Sequence, residues 1–151
     1  MSVEPSFAAR VRFLVDDGSY ASLSTLAEDG APFGSLVAYS ADETGLPILF
    51  VSSLAEHTKN FLRDARASLL VTASGDAPLE RPRATFVGTI VPVPSEERES
   101  LLARYLARHP SAARYSAFAD FGLHRLVPTR IRYVEGFGVM GFVTGEQYLR
   151  G

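Results

Sequence analysis

Apolar residues recur at helical spacing from the start of the chain. Phe7, Val11, Leu14 and Val15 share one face and Pro5 suits a first helical position, which predicts a helix over 5–16 ended by Asp16-Asp17-Gly18. Residues 20–27 read as a strand, Glu28-Asp29-Gly30 as a hairpin turn, 34–41 as a second strand, 42–45 as a turn and 46–52 as a third strand. Three strands joined by short turns make an antiparallel meander. Ser53-Leu54-Ala55-Glu56 has the spacing of a capping box, so a helix is expected from Ser53 to about Arg63. Residues 67–74 form a continuous apolar run expected to be central. Residues 75–80 form a loop, and 83–93 form a long strand whose Gly88 marks a bulge or a close backbone approach. Ser95 opens another helix, with Glu96 and Glu97 in its first turn and Leu101, Leu102, Tyr105 and Leu106 on its apolar face. His109-Pro110 stops it. Residues 111–120 read as irregular or a short helix, and 121–143 as two or three strands broken by Pro128 and Gly136. Strands grouped rather than alternating with helices argue against a doubly wound parallel sheet. They favour α+β, mainly β, with a closed or nearly closed antiparallel barrel.

Composition narrows the function classes. The chain has 151 residues, of which 46% are hydrophobic, which fits a single domain over 1–151 with a sizeable core. A net charge of −2 gives no concentrated basic surface, so no nucleic-acid partner is expected. There is no cysteine, which removes disulfides, thiolate nucleophiles, iron–sulfur clusters and thiol-ligated zinc, and fits a reducing, cytoplasmic setting. The first residues lack a basic segment followed by an apolar core, and no apolar run approaches the ~20 residues of a membrane span, so no membrane association is expected. Lys59 is the only lysine.

That lysine stands in the segment richest in hydrogen-bond donors. Residues 50–64 run from a strand through Ser52 and Ser53 into the expected helix, which carries His57, Thr58, Lys59 and Asn60. A helix N-terminus presents unpaired amides and partial positive charge, and hydroxyl, imidazole and ammonium donors add to it, so this segment is a candidate phosphate site. The alternative is a capping serine beside solvated surface residues. Arg81 and Arg83 flank Pro82, where a guanidinium would stabilise negative charge on a ligand or simply be solvated. The aromatic stretch from Tyr105 to Phe121 is either a lid over a planar ligand or a satellite core. His57, His109 and His124 are not spaced as a metal pair, and no nucleophile elbow is present, so no metal is expected.

Several of these segments together resemble the pyridoxamine 5′-phosphate oxidase-like proteins, and most closely their haem-utilisation (HugZ-like) branch with the plant glutamyl-tRNA-reductase-binding proteins. The likeness runs through Leu54-Ala55-Glu56-His57-Thr58-Lys59-Asn60-Phe61 and Asp64-Ala65-Arg66-Ala67-Ser68-Leu69-Leu70. It continues through Arg83-Ala84-Thr85-Phe86-Val87-Gly88, Tyr105-Leu106-Ala107-Arg108-His109-Pro110 and Gly136-Phe137-Gly138. The resemblance implies a six-stranded antiparallel split β-barrel with flanking helices, a homodimer with an FMN site at each of two places on its interface, and flavin-dependent oxidoreductase activity on a small substrate. It implies that Ser52, Ser53, His57, Thr58, Lys59 and Asn60 hold the FMN phosphate, that Gly34, Ser35, Leu36 and Val37 run along the flavin, and that Arg83 lies near the pyrimidine edge. Glu135, Val139 and Ala65 depart from the usual glycine, basic residue and proline, and no histidine follows His124. A non-catalytic haem- or protein-binding module and a deazaflavin-dependent reductase are the alternatives within the same fold.

Overall fold

A computed structural model describes residues 3–151. Helix α1 spans Phe7–Asp17 and is capped by Ser6, whose hydroxyl accepts the Ala9 amide. The strands are β1 (Tyr20–Leu26), β2 (Pro32–Ala38), β3 (Ser40–Ala41), β4 (Pro47–Ser52), β5 (Arg66–Thr72), β6 (Pro82–Pro92), β7 (Phe121–Glu135) and β8 (Met140–Thr144). Helices α2 (Glu56–Arg63), α3 (Arg98–Arg108) and α4 (Gly145–Arg150) complete the chain. All pairings are antiparallel, in the order β2-β1-β5-β6-β7-β4-β3, with β8 also on β7. The result is a mainly β split barrel with flanking helices. Eight strands are assigned where six were expected, because β3 and β8 are short segments that pair with one neighbour each.

The core follows from alternation. In β1 the inward positions Ala21, Leu23 and Thr25 are buried and the outward ones exposed. Leu23, Leu69, Phe86 and Ile131 meet Val11, Leu14 and Val15 of α1 in one cluster. A second cluster, with Ile48, Phe50, Leu101, Tyr105 and Leu123, forms where α3 covers the other face of β4, which explains why β4 is buried on both sides. Tyr115 and Phe121 stack 5.2 Å apart beside this cluster. The stretch from Tyr105 to Phe121 is therefore largely a satellite core.

Three expectations are corrected. Pro128 does not break a strand: β7 runs through it, because it lies opposite Gly88 where the β6–β7 register shifts and a missing N–H costs least. The segment 34–41 is not the middle strand of a three-strand meander: it is interrupted at Tyr39, which turns inward and whose hydroxyl donates to the Val15 carbonyl at 2.8 Å, so that β2 pairs with β1 while β3 pairs with β4 at the other end of the strand order. The helix after β4 begins at Glu56, not Ser53, with Ala55 at its cap position and no side-chain cap. Ser53 instead donates its amide to the Asp120 carbonyl at 2.7 Å. At the end of the chain Thr144 and Gln147 form a capping box that opens α4.

Candidate functional site

Helix α2 packs against β1 and β2. Its fixed point is Asn60, whose amide donates to the Thr25 hydroxyl at 3.1 Å, with both residues buried. Leu23 pairs with Ser35 and Thr25 with Phe33, so Ser35 shares the inward face of the hairpin that carries Thr25. There the polar accounting fails to close. The hydroxyls of Ser35 and Thr58 and the Nε2 of His57 are buried without a hydrogen-bond partner, whereas such groups are normally satisfied. The amides of Glu56 and His57, in the first turn of α2, also donate to no protein acceptor among the described residues. Half-burial holds the His57 imidazole below its ordinary pKa, so it is neutral at neutral pH.

Other expected residues are placed differently. Lys59 is half-exposed and 3.5 Å from Glu56, on the solvent side of α2. The Ser52 hydroxyl donates to Asp120 at 2.6 Å and accepts the Leu54 amide, so it is already engaged, and the Asp120 carboxylate opposes an anion there. Val37 belongs to the core. Gly34 and Leu36 lie on the opposite face of β2 from Ser35, with Leu36 strongly exposed. A period of two puts only alternate side chains of β2 on one face, while its outer backbone edge carries no strand. Arg83 pairs with Thr72, at the far end of the β5–β6 ladder from Ser68, and donates to the Leu79 carbonyl at 3.0 Å. One chain therefore sets Ser35 on the sheet face where Thr25 holds Asn60 of α2, the helix that also carries His57 and Thr58, and leaves Arg83 at the far end of the β5–β6 ladder.

Two features escaped the sequence reading. His124 sits under α2, its ring 4.8 Å from that of Phe61, with Nδ1 buried and unpartnered; burial lowers its pKa as well. His109 is engaged, with Nε2 2.7 Å from the Tyr39 carbonyl oxygen. The second feature is an apolar cleft of about 730 Å3 between α1 and the start of β6, lined by Phe13, Leu14, Ala73, Pro82 and Tyr133 and closed by the Arg10–Glu135 ion pair at 2.7 Å. Among the described residues no group of three or more His, Asp or Glu could hold a metal ion. No described helix is long and apolar enough to cross a membrane.

Comparison with known proteins agrees with this architecture. The family model described as CREG, beta-barrel, matches residues 4–150. The chain belongs to the CREG β-barrel family. It is 36% identical over 140 residues to the chloroplastic non-canonical heme oxygenase HOZ of Arabidopsis thaliana, covering 90% of this chain and 42% of that protein. A heme binding protein of Mycobacterium smegmatis superposes with a TM-score of 0.93 at 33% identity, covering 99% of this chain and 62% of the other. A protein of unknown function from Agrobacterium tumefaciens superposes with a TM-score of 0.82 at 30% identity, covering 97% of this chain and 62% of the other. This chain spans less than half the length of the Arabidopsis relative and under two thirds of the two solved relatives. Two of these relatives are named for haem, one as a heme oxygenase and one as a heme binding protein.

Proposed function

We propose that this chain is a haem-binding split-barrel protein that works as a homodimer, with the ligand held beside α2 and the edge strand β2. The observation that carries the reading is the likeness, across nine tenths or more of this chain, to one protein named a heme oxygenase and another named a heme binding protein. The residues present fit such a ligand. Iron is ligated by a neutral imidazole, and His57 is kept neutral with an unpartnered Nε2. The exposed Leu54 offers apolar surface, and Lys59 and Arg63 offer cations for two carboxylates. When bound, haem would supply iron-centred oxygen or electron chemistry, and the protein would set its orientation and surroundings. Homodimerisation draws support from the outer sheet face. There one cross-strand row runs Leu36, Ser22, Leu70, Thr85, Arg132 and Phe142, with the three large apolar members left exposed.

A specific observation favours a second reading, FMN binding with flavin-dependent oxidoreductase activity. The unpartnered hydroxyls of Ser35 and Thr58, the open amides of α2 and the Lys59 ammonium are phosphate donors. One experiment separates the two readings: titration of the purified chain with haem and with FMN, followed in the Soret and flavin absorption bands. The haem reading expects a saturable Soret shift that weakens about tenfold or more in His57→Ala, a free-energy change of at least ~1.4 kcal/mol. A flavin band that saturates first, and is lost in Thr58→Val while haem fails to bind, replaces haem by FMN.

A further inference from the structure

A second polar cleft lies away from α2. It has a volume of about 430 Å3 and opens between the C-terminal end of α1, β3 and α3. Three guanidinium groups line it, Arg12 from α1 and Arg104 and Arg108 from α3, against a single carboxylate, Asp16. Arg104 and Arg108 are four residues apart and project from the same face of α3. Each arginine is anchored by a backbone carbonyl. Arg104 Nε donates to the Ala41 oxygen at 3.0 Å, Arg108 Nε to the Gly18 oxygen at 3.1 Å, and Arg12 Nη2 to the Glu43 oxygen at 2.9 Å. Arg12 Nε also donates to Asp16 at 2.9 Å. These bonds fix the forks yet leave both terminal nitrogens of Arg104, and Nη1 of Arg12 and of Arg108, without a protein acceptor among the described residues.

The floor of the cleft is built of small residues. Gly18 contributes no side chain, and Ser40 is only 6% exposed. The Ser40 hydroxyl is buried with no hydrogen-bond partner. Arg104 and Arg108 are exposed, so solvent meets their free nitrogens, but three like charges side by side repel and the buried Ser40 hydroxyl lacks the partner such a group normally has. An oxyanion answers both costs. A planar carboxylate saturates one fork, whereas a tetrahedral phosphoryl group presents oxygens to several forks at once. The volume lies within the range of small-molecule sites and exceeds what a bare ion fills.

We propose that this cleft binds a phosphate-bearing small molecule, a monoester or a diphosphate, with the phosphoryl group shared among Arg12, Arg104 and Arg108 and the Ser40 hydroxyl donating from below. The site is separate from the α2 region and independent of which ligand binds there. The test is calorimetric titration of the full chain with pyrophosphate at low ionic strength, using wild type and the variants Arg104→Gln, Arg108→Gln, Ser40→Ala and Lys59→Ala. Binding is expected to weaken about tenfold or more in each arginine variant and severalfold in Ser40→Ala, and to persist in Lys59→Ala. Circular dichroism melts check folding, and because Ser40→Ala removes only an unpartnered hydroxyl it remains readable if an arginine variant unfolds. Absence of binding to wild type, equal affinity in folded variants, or loss in Lys59→Ala alone each overturns the proposal, the last by moving the anion to α2.

Discussion

Thr58 and Asn60 are two residues apart on α2, and their side chains have opposite relations to stability. Asn60 is satisfied by Thr25, and Asn60→Ala would strand the Thr25 hydroxyl in the core. Chemical denaturation is expected to show a loss of about 1–3 kcal/mol. Thr58 is buried with its hydroxyl unpartnered, so Thr58→Val, which keeps the shape and removes the orphan, is expected to leave the ligand-free chain equally or more stable. Groups that cost stability in the free protein are the ones to test as ligand contacts. The imidazoles add a pH signature. His57 and His124 both have folded pKa values lowered by burial. Below the unfolded value of about 6.5 the unfolded chain takes up protons that the folded chain resists, so their contribution is complete above that pH and declines as pH falls towards the folded values. Thermal melts at pH 7.5 and at pH 5 should show this loss, and it should shrink in His124→Gln.

At the scale of elements, β7 organises the molecule. Its 15 residues pair with β6 along one edge, while the other edge serves β4 first and β8 later. A strand this long must bend, and the bend is at Gly88 and Pro128. A Cβ at Gly88 would come within 2.0 Å of the Val127 carbonyl oxygen, so the backbones meet where only glycine fits. Gly88→Ala is expected to cost at least ~1–3 kcal/mol, seen as a lower denaturation midpoint with an unchanged slope. Gly88 is legible in the sequence as a bulge candidate; its partner Pro128 is not, because a proline in a strand reads as an end until the opposing residue is known. Helix α2 shows the same limit. Ser53 to Glu56 has capping spacing, yet the Asp120 carbonyl, far along the chain, takes the Ser53 amide.

At the scale of the whole molecule, the outer sheet face is the candidate contact of the proposed homodimer. Leu36 and Leu70 flank Ser22 there, with Phe142 farther along the same row under the Arg132 guanidinium, 4.8 Å from the ring centroid. If this face is the homodimer contact, the double variant Leu36→Glu and Leu70→Glu should sediment as a monomer with its circular dichroism retained. The wild type should sediment as a dimer. A variant that still sediments as a dimer would place the contact elsewhere.

Hydrophobic periodicity determined the helices α1 and α3, the β1–β2 hairpin and the mainly β class, and residue type determined the donor-rich segment around Lys59. Each depends on neighbours close along the chain, within the reach of a turn or a cap. Tertiary structure decided which donors meet. Ser35 reaches the α2 region because β2 pairs with β1 in a register that turns it inward, and Arg83 does not because it lies at the far end of its strand. The arginine cleft likewise exists only once α3 folds back across the end of α1. Such contacts join residues far apart in the chain, set by strand register and helix docking that no local pattern encodes.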